Sequence, residues 1–158
     1  MHSFKEMVEL NMRINEYMKI HPTSYTKTKF SEIEELKEFE WPNIATDIKF
    51  GKIPLRIMGP APMSFQVVAS PAQKSSNKFF NILSVVSVIL SIALSVTISW
   101  WFLLLIILFP VFRAAAKAAY NDAMLGSAIT SEEGFSFLFS RGAICLQGKD
   151  GLIYTKVK

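Results

Sequence analysis

The side chains in this chain that could do acid–base or metal chemistry are few and scattered. Glu132 and Glu133 are adjacent, and Asp122 lies upstream of them. Carboxylates gathered at a membrane boundary could hold a cation or exchange a proton. Carboxylates at a helix start or in a solvated loop need no such role, because the helix dipole already favours them there, and this second reading fits the sequence Thr130-Ser131-Glu132-Glu133-Gly134. His2 and His21 are far apart with no thiol near either, which speaks against a structural zinc site. His21, followed by Pro22, reads as a helix end.

The single cysteine, Cys145, alternates with Ile144 and Leu146 and is expected to pack within a strand rather than act as a nucleophile. One cysteine leaves no internal disulfide and fits a reducing compartment. The seven glycines are dispersed and form no phosphate-binding loop. No catalytic residue, cofactor or metal site is therefore expected. The acidic run Glu32, Glu34, Glu35, Glu38 and Glu40 reads as a solvated face that could also meet a basic partner.

The positive charges are more informative. Lys74 and Lys78 precede, and Arg113 and Lys117 follow, a stretch of 34 residues from Phe79 to Phe112 that contains no Asp, Glu, Lys, Arg or His. Such a run is written for hydrocarbon. As one helix it would be about 51 Å long, against a slab of about 30 Å, and hiding it would need a tilt near 54°, beyond the roughly 0–40° range of membrane helices. A hairpin uses the length better. It also gathers all four flanking cations on one side and leaves the opposite turn uncharged, as the positive-inside rule asks.

Trp100 and Trp101 then fall near that turn, at headgroup level, so Lys74, Lys78, Trp100, Trp101, Arg113 and Lys117 are the expected membrane anchors. Within the first leg Ser84, Ser87, Ser91, Ser95 and Ser99 recur every three or four residues. Small residues at that spacing allow close helix packing, against either the second leg of the same chain or another copy. Pro110 is expected to soften the second leg where it leaves the membrane.

The elements that must position these groups lie on both sides of the run. Residues 1–43 read as amphipathic helices, opened by capping boxes at Ser3/Glu6 and Ser31/Glu34 and closed by His21-Pro22 and Trp41-Pro42. Residues 44–73 switch to alternation at Ile48/Phe50, Ile53/Leu55/Ile57 and Phe65/Val67, the pattern of short strands. Ser70 to Lys78 reads as a polar linker. Residues 74–120 form the expected transmembrane hairpin. Residues 121–158 continue that helix to about Ile129, then give a three-stranded meander over Phe135–Val157, broken at Ser140-Arg141-Gly142 and Gly148–Gly151.

The expected fold is an α+β membrane protein in which a transmembrane helical hairpin is inserted between two helix/strand segments that share one cytoplasmic domain. The opening residues mix charges throughout, so no secretory leader is read there and insertion is expected through the internal run. The net charge of +4 is spread over both flanks, which gives no nucleic-acid arm. The partners expected are the lipid bilayer, an unidentified protein and a second copy of the chain through the serine stripe.

The location expected is the cell membrane, with two crossings and both termini cytoplasmic. The role expected is that of a small integral membrane protein with a protein-binding domain, of regulatory, assembly or immunity type. The alternatives are a membrane-surface enzyme or accessory subunit using Asp122, Glu132 or Glu133, and a homo-oligomeric transport component.

Overall fold

The computed structural model describes residues 4–20, 30, 33–36, 39–59, 61–147 and 152–155. They are mostly helical, with one small sheet and two helices long and apolar enough to cross a membrane. The chain divides into two compact units, one built from Met1–Ala69 together with Ala123–Lys158 and the other from Ser70–Asp122.

In the first unit, helix α1 (Phe4–Ile20) turns Leu10 and Ile14 inward, four residues apart on one face. A 3-10 turn at Glu34–Leu36 buries Leu36 beside the buried Ile33. Helix α2 (Trp41–Lys49) follows, then strand β1 (Leu55–Ile57) and helix α3 (Pro62–Val68). The unit is completed after the intervening segment by the end of helix α5 (Leu108–Thr130), helix α6 (Glu132–Ser140), and strands β2 (Ile144–Gln147) and β3 (Ile153–Tyr154).

The sheet joins the segments that precede and follow residues 70–122. β2 is central, antiparallel to β1 with Arg56 opposite Cys145, and antiparallel to β3 with Leu146 opposite Tyr154. Phe30, Phe135, Phe137, Phe139, Met124, Ile144 and Val68 are among the fully buried side chains. Phe30, Trp41 and Phe135 form a cluster of tilted rings with centroids 5.2–5.7 Å apart, a geometry aromatic quadrupoles favour. Gly134 is required where α6 begins. A Cβ there would run into the Ser127 carbonyl oxygen and lie 3.0 Å from Ser131 Oγ.

Several elements differ from the sequence reading. Trp41-Pro42 starts a helix instead of ending one, because proline is well suited to the first turn, where its missing N–H is not needed. Ile44 and Ile48, four apart, are the buried face of α2, so the expected strand at Ile48/Phe50 is absent. Phe65 and Val67 lie in α3. The first strand of the expected meander is α6, whose nine residues start at the Ser131 cap, with the Gly134 N–H donating to Ser131 Oγ at 2.9 Å and Glu132 and Glu133 in the first turn.

Among the described residues of the span 31–40, read from sequence as one helix, Glu34–Leu36 form a 3-10 turn. The expected caps at Ser3 and Ser31, the His21-Pro22 stop and the Gly148–Gly151 turn lie outside the described residues.

The second unit is an antiparallel helical pair. Helix α4 (Pro71–Thr97) begins inside the expected polar linker: Ser70 and Gln73 form a reciprocal capping box around Pro71, at 2.8 and 3.3 Å. The chain turns at Ile98 and Ser99, continues as a 3-10 helix over Trp100–Ile107, and enters α5. Pro110 falls in the first turn of α5, a position that proline tolerates.

Candidate functional site

The polar groups of the helical pair are concentrated along its internal seam. Ser84, Ser87 and Ser91 are buried, the first and last completely. Ser84 and Ser87 donate to carbonyls three residues back in their own helix, those of Asn81 at 2.7 Å and Ser84 at 2.8 Å. Ser91 does something different. Its Oγ donates across the pair to the Phe102 carbonyl at 2.8 Å, inside the 3-10 stretch.

Ser95 is half-buried and donates back to Ile92 at 2.8 Å. Ser99 lies beyond the end of α4, with an extended backbone just before the 3-10 helix and no side-chain capping bond, so it is not part of the helical stripe. The stripe from Ser84 to Ser91 is covered by the second leg of the same chain.

Towards the base of the pair the seam continues through residues that sequence reasoning did not single out. Asn77 Nδ2 donates to the Ala116 carbonyl at 2.8 Å. Asn81 Nδ2 donates to the Asn77 carbonyl at 2.9 Å and to its Oδ1 at 3.1 Å. With that amide engaged, Asn81 Oδ1 accepts from Arg113 Nη1 at 3.0 Å. The Arg113 guanidinium also lies 6.0 Å from the centroid of the Phe109 ring. Arg113 is therefore held by the opposite leg, and Lys78 and Lys117 near it are exposed. The only sequence signal for the asparagines was their four-residue spacing, which means nothing until the second leg is aligned.

At the turn, Trp100 and Trp101 stack with centroids 4.4 Å apart and both rings are exposed. Between base and turn the outer surface is apolar: Ile82, Val85, Val86, Ile89, Leu104 and Ile107 are all exposed. Only 17 % of the most apolar window of the first leg, and 6 % of that of the second, is buried within the chain. Helices of the core of a water-soluble domain would be mostly covered.

The carboxylates are differently employed. Glu132 Oε1 accepts from the Phe30 backbone N–H at 3.3 Å, tying the start of α6 to a residue about a hundred positions earlier. Asp122 is exposed, and Glu133 is half-buried. Among the described residues no group of three or more His, Cys, Asp or Glu side chains is arranged to hold a metal ion.

Cys145 is buried in β2; burial pushes its thiol pKa up, and the nearby Arg56 guanidinium partly opposes that shift. A buried, protonated thiol is a poor nucleophile. Arg141 packs its guanidinium 5.5 Å from the Tyr17 ring centroid and 5.7 Å from that of Phe137, and donates to Tyr17 Oη at 3.3 Å. Arg13 donates to the Val68 carbonyl at 3.1 Å, at the end of α3. These contacts are the work of a packed scaffold. No family model, no curated protein and no solved structure matches this chain.

Proposed function

We propose that this is a small integral membrane protein, held in the cell membrane by the α4–α5 hairpin with both termini cytoplasmic, whose mixed helix/sheet unit binds another protein in a regulatory, assembly or immunity-type role. The observation that carries the membrane reading is the outer surface of the hairpin. It is apolar and exposed over both legs, while its polar side chains bond to one another, to carbonyls across the seam, or, as at Ser95 and Thr97, to carbonyls of their own helix. A bilayer demands this arrangement, since backbone and side-chain polar groups in hydrocarbon must be satisfied within the protein.

Protein binding is supported by α1. Phe4, Val8 and Met12 are spaced four apart and stand 77 %, 40 % and 66 % exposed, on the side of the helix away from the buried Leu10 and Ile14. An apolar helical stripe left in water suits insertion into a partner's groove. The membrane-enzyme alternative has less to support it, because Glu132 is engaged with the Phe30 backbone.

The test uses native membranes carrying the full chain with a photocrosslinking residue at Met12 or, as control, at Lys49. The expected outcome is a protein that resists alkaline extraction and gives one discrete heavier adduct from position 12 and none from position 49. Extraction by alkali would overturn the membrane reading. Absence of the adduct would overturn the protein-binding reading.

A further inference from the structure

The hydrogen bonds across the hairpin fix its register, and the register gathers the cations. Asn77 meets Ala116, Asn81 meets Arg113, and Ser91 meets Phe102. Lys78 lies one turn from Asn81, and Lys74 one turn further along the same row of α4; Lys117 lies one turn from Arg113 on α5. Residues three or four apart share a helix face. Because the legs are antiparallel and the Arg113–Asn81 bond joins the two rows, Lys74, Lys78, Arg113 and Lys117 line one side of the base.

Residues 70–81 and 113–121 contain no other charged side chain, and Asp122 is the only acid in Ser70–Asp122. None of the four cations forms an ion pair among the described residues. Four like charges held together beside an apolar surface repel one another unless an anion lies between them. Anchoring by snorkelling alone requires no particular side of the hairpin; here the charge is one-sided, and its central member is pinned by a hydrogen bond.

We infer that this face binds the phosphate of an anionic phospholipid headgroup, with Arg113 as the principal donor and Lys78 and Lys117 flanking it. The inference rests on the membrane reading given above. Arg113 directs Nη1 to Asn81 and keeps further N–H donors for a phosphate, and its planar fork matches phosphate oxygens. The choice of a lipid over a free anion follows from the neighbouring surface, where Phe79 and Phe109 are exposed at the same end and would lie along acyl chains.

The full chain in zwitterionic detergent is titrated with phosphatidylglycerol, phosphatidylcholine or soluble glycerophosphate, and bound lipid is read by native mass spectrometry, with alkaline extraction of native membranes in parallel. Wild type is expected to retain phosphatidylglycerol in preference to phosphatidylcholine. Retention should fall about fivefold per cation removed in Arg113→Gln and in the Lys78→Gln/Lys117→Gln pair, and should not change in Lys49→Gln.

Equal retention of the two lipids, or undiminished phosphatidylglycerol retention in both the Arg113 and the paired Lys variants, would overturn the site. Binding of glycerophosphate as tight as that of the lipid would reassign it to free phosphate and overturn the lipid assignment. If these arms fail while alkaline resistance persists, the membrane reading stands; loss of alkaline resistance in wild type overturns both.

Discussion

Cys145 has a measurable consequence at the scale of one residue. Its thiol pKa is raised by burial in β2, against the smaller opposing effect of Arg56. The native chain therefore keeps this proton at pH values where the unfolded chain has released it. Stability from this residue is complete below the ordinary thiol pKa of about 8.5 and declines as pH rises beyond it. Chemical unfolding as a function of pH is expected to show a steeper loss above that point in wild type than in Cys145→Ala. Parallel curves for the two proteins would mean that the thiol titrates alike in the folded and unfolded chains. The packing role of Cys145 was legible from its alternation with Ile144 and Leu146. The Arg56 neighbour was not, since it comes from a strand about ninety residues earlier.

At the scale of elements, Ser91 and Ser95 are chemically identical side chains that differ in burial and in the partner of the hydroxyl. Ser91 bonds across the hairpin to Phe102, whereas Ser95 bonds within its own helix to Ile92. Ser91→Ala should cost about 0.6 kcal/mol and no more than about 1.7 kcal/mol, the average and the maximum measured for hydrogen bonds between membrane helices, and Ser95→Ala should cost less, as read by denaturant titration in mixed micelles. Equal costs would deny the cross-pair bond its role. The turn itself was legible, because slab thickness, flanking charge and the Trp pair converge on it although no Gly, Pro, Asn or Asp marks it. The helices α2 and α3 read as strands because Ile48/Phe50 and Phe65/Val67 alternate by chance, and α6 reads so for another physical reason. Short apolar runs buried on all sides lose the contrast between faces, as in α6, where Phe135 to Phe139 are all buried. Only the Ser131 cap and the two glutamates announce the helix. The Asn77–Asn81–Arg113 seam was invisible because it depends on the register of two legs distant in sequence.

For the whole molecule, the pairing of β1 with β2 couples topology to folding. Under the membrane reading, reporters fused before Met1 and after Lys158 should both register the cytoplasm; reporters on opposite sides would be incompatible with a shared sheet and with the hairpin. The same pairing sets an order of events during synthesis. β1 is made first and its partner follows only after Ile57 has been succeeded by every residue up to Ile144. At roughly 5–20 residues per second the wait is on the order of 4 to 20 seconds. Throughout it the β1 edge is unpaired, and for most of it the Val68 carbonyl lacks the Ser127 hydroxyl that donates to it at 3.4 Å in the folded chain. Closure of the sheet thus becomes a late checkpoint: a chain inserted with its ends on opposite sides cannot pass it, and would present an open strand edge to whatever surveys nascent proteins for unfinished folds.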